Sequence, residues 1–228
     1  DIKYVPKYIT AKYDELLEEE AVNIRIIGSE DPDLFSDVDP VKLNTSRKAR
    51  YEAVQRFYKE GIGKSKVQWT IAAASTPAWA LKVFPDLSPE EANNKFWEEL
   101  FRICRCNDAD PIKSWKEHNV KLQERAQKLT NLKIETLHFV GNNTDLKVGL
   151  SPIAIFKGGT DMGPKAEFEP NIPTEECFTT PDWRKTTGKL SATRPFLING
   201  QMIRDLQLEF KAKLFNHISS NQINIDTS

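Results

Sequence analysis

Up to about Val140 the chain alternates between stretches where apolar residues recur every three or four positions and stretches where they recur every second one. Residues 9–21 have the helical spacing, with Tyr13, Leu16 and Leu17 on one face. Residues 21–27, Ala-Val-Asn-Ile-Arg-Ile-Ile, alternate and stop at Gly28, as a strand does. A long helical stretch follows from Asp39-Pro40 through Lys59, then a strand over 67–73 and a short helix over 77–83. Ser88-Pro89-Glu90-Glu91 is a helix start with clear mechanics. Ser88 can cap, Pro89 needs no amide partner at the first position, and Glu91 can reach back to the cap amide. The spacing predicts that this helix buries Phe96, Trp97, Leu100, Phe101 and Cys104. Asp110-Pro111 repeats the device and opens a helix carrying Ile112, Trp115, Leu122 and Leu129, and residues 134–140 read as a third strand.

Beyond this point Gly, Pro and Thr and short alternating runs replace the helical pattern. Residues 145–150 and 153–156 read as strands around a Ser151-Pro152 turn. Residues 197–203 read as a hairpin with an Asn199-Gly200 turn, since both central residues of such a turn need positive φ. Residues 206–210 continue that sheet. Strands alternating with helices imply a largely parallel sheet with helices on its faces. The expected fold class is therefore α/β: a helix-flanked, largely parallel sheet over residues 1–140, incomplete at its start, followed by an incomplete β-rich domain over 141–228.

Charge narrows the function classes. The 228 residues carry 32 basic and 33 acidic side chains, a formal net charge of -1, which leaves no footprint for nucleic acid or an anionic membrane surface. No apolar run approaches the roughly 20 residues of a membrane helix, and no secretory leader is visible at Asp1. Three cysteines, Cys104, Cys106 and Cys177, form no disulfide framework and read as reduced thiols in a cytoplasmic protein.

Most candidate chemistry reduces to ordinary structure. Gly61-Ile-Gly63-Lys64-Ser65 resembles the end of a phosphate-binding loop, but Tyr58 stands where its first glycine is required and the order runs from helix to strand. A glycine helix stop explains it. His118, His138 and His217 lie in no zinc-binding spacing. His118 reads as a surface or boundary residue and His138 as a satisfied strand histidine near Asp145. Nothing in the sequence sets either beside an acidic cluster. One cluster stands out: Asn171-Ile-Pro-Thr-Glu-Glu-Cys-Phe-Thr-Thr-Pro-Asp182 holds the adjacent carboxylates Glu175 and Glu176 between prolines. Carboxylates so placed can coordinate divalent metals, or can be an exposed loop. In an extended backbone the two would face opposite ways, so one could meet a given metal.

This segment resembles the metal-binding segment of the aminopeptidase T/aminopeptidase S family of metallopeptidases. Other blocks follow in the family's order: Gln68 to Ile71, Pro77 to Ala80 and Val83 to Asp86, then Asp110-Pro111 through Trp115 and His118. Leu137-His138, Gly141, Thr144 to Leu146, Gly149-Leu150, Gly188, Thr193 to Pro195 and Gly200 complete the likeness, which runs from Tyr4 to about Phe210. The resemblance implies a cytoplasmic aminopeptidase, a homodimer when intact, that releases amino-terminal residues from peptides. It implies two divalent ions, zinc, cobalt or manganese, that activate a bridging water. A glutamate of Thr174-Glu175-Glu176 is implied as a metal ligand, Glu176 favoured over Glu175. The family's other ligands lie downstream of this motif, and the residues after Phe210 do not match it. The chain is therefore expected to be a fragment, truncated at both ends and inactive alone. The alternative is a non-catalytic assembly or binding module.

Overall fold

Ser88 accepts a hydrogen bond from the Glu91 amide at 3.4 Å, and the Glu91 carboxylate accepts the Ser88 N–H at 3.1 Å. This reciprocal cap starts helix α4, Pro89–Ile103. The computed structural model describes residues 1–198, 201–211, 214–219 and 224–225. It divides into one unit made of Asp1–Val120 with Gly159–Glu175 and another made of Lys121–Gly158 with Glu176–Ser228.

The first unit is α/β. In chain order it holds α1 (Lys7–Glu18), β1 (Asn23–Ile27), α2 (Pro40–Ala53), a π-helical turn (Phe57–Ile62), β2 (Trp69–Ala73), α3 (Pro77–Val83) and α4. Helix α5 spans Pro111–Asn131, and its residues up to Val120 belong to this unit. β1 and β2 pair in parallel, with Asn23 opposite Trp69 and Ile27 opposite Ala73. The third strand of this sheet is Asn171–Ile172, parallel to β2 with Ile71 opposite Asn171. One core cluster joins Ala80 of α3 to Ala92, Phe96 and Leu100 of α4, with Trp79 meeting Phe96 edge-on at 5.0 Å. A second joins Leu17 of α1 to Phe57 and Val67.

The second unit is antiparallel. β3 (Thr136–Gly141) and β4 (Thr144–Gly149) form a hairpin at one edge of a six-stranded sheet. β4 is followed across that sheet by Thr187–Ser191, Gln207–Lys211, Leu214–Ser219 and Asn224–Ile225. Phe196–Ile198 pairs separately with Gln201–Ile203. The Asn199-Gly200 turn expected between them lies outside the described residues. From α5, Leu122 and Ala126 are buried.

Several expectations are corrected. The strand near residue 134 does not join the parallel sheet; it is β3, antiparallel to β4. The chain reverses after two residues at Asn143, φ 55°, and a tight reversal can only build an antiparallel pair. Residues 153–156 form no strand; Ile153 is 89% exposed, and the paired strand begins at Lys157. The helix expected over 39–59 stops at Ala53 and resumes as the π-turn, which carries buried Phe57. Phe101 is exposed although the pattern predicts it buried, while Phe96, Leu100 and Cys104 are buried as predicted.

Candidate functional site

Residues 171–175 of the acidic segment belong to the first unit. Asp110 caps α5 by accepting the Lys113 amide at 3.0 Å. The helical repeat then sets Trp115, His118 and Asn119 on one face. Asn171–Ile172 is fixed by its pairing with β2, and the chain passes through a cis Ile172-Pro173 peptide to Thr174.

At Thr174 and Glu175 the side chains converge. His118 Nε2 lies 2.8 Å from the Thr174 carbonyl oxygen and 3.4 Å from Glu175 Oε2. A carbonyl only accepts, so Nε2 carries a proton. Arg105 Nη2 fits that assignment: it donates to His118 Nδ1 at 3.2 Å and to Glu175 Oε1 at 2.6 Å. Both hydrogens of that nitrogen are thereby used. The Arg105 guanidinium stacks over Trp115, 4.9 Å from the ring centre. Trp115 in turn donates its indole N–H to the Cys104 carbonyl at 2.8 Å.

One turn further along α5, Asn119 donates to Glu169 Oε2 at 2.6 Å. Asn119 Oδ1 and Glu169 Oε1 are fully buried and have no hydrogen-bond partner among the described residues. Burial holds the Glu169 carboxyl above the usual carboxylate range; the Asn119 bond and the nearby His118 oppose the shift, and Glu167 adds to it.

The two glutamates of the motif therefore differ. Glu175 is engaged by Arg105 and His118, although its side chain remains 65% exposed. Glu176, the first residue of the second unit's return, is exposed, and its carboxylate has no hydrogen bond or ion pair among the described residues. His118 is placed beside Glu175, contrary to expectation, and its side chain, 12% exposed, sits at the boundary rather than on the surface, within the surface-or-boundary reading. Sequence reasoning also passed over Arg105, Asn119 and Glu169. A contact spanning 70 residues, as between Arg105 and Glu175, leaves no local spacing to read.

In the second unit His138 Nε2 is 2.7 Å from Asp145 Oδ1 in the β3–β4 hairpin. The three cysteines are free, and burial pushes the Cys104 thiol up. Gly61 and Gly63 close the π-turn ahead of β2, with no phosphate-loop arrangement. Among the described residues no group of three or more His, Cys, Asp or Glu could hold a metal ion. No helix among them is long and apolar enough to cross a membrane.

Comparison with known proteins places this architecture. Aminopeptidase PepS of Streptococcus thermophilus is 36% identical over 223 residues, which are 97% of this chain and 54% of that protein. Aminopeptidase 2 of Geobacillus stearothermophilus is 36% identical over 204 residues, 89% of this chain and 49% of that protein. The solved structure of wild-type AmpT from Thermus thermophilus superposes with a TM-score of 0.84 at 28% identity, covering 98% of this chain and 54% of that one. The chain thus spans about half the length of the curated relatives it matches. The model of the thermophilic metalloprotease (M29) family matches residues 1–213, and the chain belongs to that family.

Proposed function

We propose that this chain is part of a metal-dependent aminopeptidase and that Glu176 supplies one carboxylate ligand to its two divalent ions, zinc, cobalt or manganese. The observation that carries the reading is the contrast between adjacent glutamates: Glu175 is held by Arg105 and His118, whereas Glu176 is exposed and unengaged among the described residues. A carboxylate already tied to a guanidinium has fewer lone pairs to offer a metal.

The described residues do not make a metal centre. A catalytic zinc takes about three protein ligands, and a two-metal site more. Further ligands must come from polypeptide outside these residues, so the 228-residue chain alone is inactive and binds divalent metal weakly. Peptides with a free amino terminus are the proposed substrates; a homodimer and a cytoplasmic location rest on family likeness alone.

The test uses the parent polypeptide and the isolated chain side by side. The parent releases the first residue of a free-amino peptide, spares the acetylated peptide, and loses activity to a chelator until metal is restored. The isolated chain turns over neither. A parent that cleaves nothing under any divalent ion would leave the non-catalytic binding module as the surviving interpretation.

A further inference from the structure

Arg105 stands in the left-handed backbone region, φ 58°, just past the end of α4. Glycine is the usual occupant there, because a Cβ crowds the following peptide. The backbone bonds are those of a glycine-terminated helix: the Cys106 N–H reaches the Phe101 carbonyl at 2.8 Å, and the Arg105 N–H reaches the Arg102 carbonyl at 3.2 Å. A bulky residue kept in a costly conformation points to a demand on its side chain.

The contacts of that side chain state the demand. One nitrogen serves both His118 Nδ1 and Glu175 Oε1, while the guanidinium plane lies over Trp115. Lysine also has several N–H groups on its nitrogen, but it lacks the flat guanidinium face that stacks on Trp115 while the same group donates to both acceptors. The Arg105 side chain is 22% exposed, so it is partly shielded from water even though its partner carboxylate is not. An exposed ion pair alone would contribute little. Here the same group also orients the imidazole that holds the Thr174 carbonyl.

We propose that Arg105 is a positioning residue that fixes the Thr174–Glu175 segment, gripping Glu175 directly and Thr174 through His118. Glu176 is the next residue along the chain, so a fixed Thr174–Glu175 backbone defines where the metal-ligand residue begins. That last link rests on the function proposed above; the fixing of the segment does not.

Nuclear magnetic resonance on the 228-residue chain tests the fixing. In the wild type, the His118 ring carries its proton on Nε2, and the Thr174 and Glu175 amides have order parameters near ~0.85. Arg105→Gly removes the side chain but suits the backbone, so it folds with an unchanged or raised thermal midpoint. In that variant the two amides fall below about 0.6 and the His118 tautomer preference is lost. Arg105→Lys restores part of the order, and Glu175→Gln loosens Glu175 while leaving the His118–Thr174 bond. Unchanged order parameters and an unchanged tautomer in Arg105→Gly overturn the proposal.

The link to the reaction has its own readout in the parent polypeptide. Arg105→Gly lowers kcat by about 10- to 100-fold with little change in KM, and alters the absorption spectrum of the cobalt-loaded protein. An active parent whose Arg105→Gly variant keeps both kcat and spectrum overturns that link. A wild-type parent without activity overturns the proposed function instead, and the resonance experiment still decides Arg105.

Discussion

His118 donates its Nε2 proton to the Thr174 carbonyl across 2.8 Å, joining α5 to a residue 56 positions later. Removing the ring leaves a partly buried carbonyl without its partner. His118→Ala is therefore expected to lower the stability of the chain by about 1–2 kcal/mol. Urea denaturation monitored by tryptophan fluorescence measures it. A loss indistinguishable from zero would mean that water replaces the imidazole at no cost.

Glu169 gives the chain a stability that depends on pH in an unusual direction. Its folded-state carboxyl is held above the ordinary range, chiefly by burial. Between the ordinary carboxylate value of about 4.3 and that raised value, the folded state binds more protons than the unfolded state. The contribution is fully present below the lower value and is lost as pH rises through the window. Glu169→Gln supplies a permanently neutral side chain whose N–H can also face the unpartnered Asn119 Oδ1. The thermal midpoint of this variant should lose the wild type's decline above about pH 4 and exceed it at neutral pH. Parallel pH profiles for the two proteins would show that Glu169 ionises as freely folded as unfolded.

Gly188 occupies φ 113° in Thr187–Ser191, and a Cβ there would meet the Asp145 carbonyl oxygen at 2.1 Å. Both the conformation and the contact oppose any side chain. Gly188→Ala should destabilise by at least about 2 kcal/mol through strain and overpacking. A calorimetric midpoint equal to that of the wild type would place β4 and Thr187–Ser191 further apart than the register of Gly188 with Leu146 requires.

Adjacent glutamates should separate cleanly in metal binding by the parent. Glu176→Gln is expected to weaken zinc binding by at least about 100-fold, and Glu175→Gln by clearly less. Isothermal titration reports both. Equal losses would make Glu175 a ligand as well, and tight zinc binding by the isolated chain that Glu176→Ala abolishes would show a centre assembled without further residues.

The sequence by itself determined the local elements whose causes are local. Ser88 and Glu91 capped α4, Asp110 started α5, and Gly28 followed the alternating strand β1 because caps, proline φ values and strand periodicity act within a few residues. It also carried the block order that marks the family, and it singled out Thr174-Glu175-Glu176. The tertiary structure decided which strands share a sheet. Asn171–Ile172 joins the parallel sheet a hundred residues after β2, while the nearer β3 turns away into an antiparallel hairpin. It also decided which glutamate is engaged, because Arg105 and His118 reach Glu175 only when the end of α4, α5 and the returning strand are assembled. Periodicity specifies which face of an element is apolar, but not which distant element that face meets. Side-chain pairing across 57 to 70 residues is fixed by packing, and no spacing along the chain encodes it.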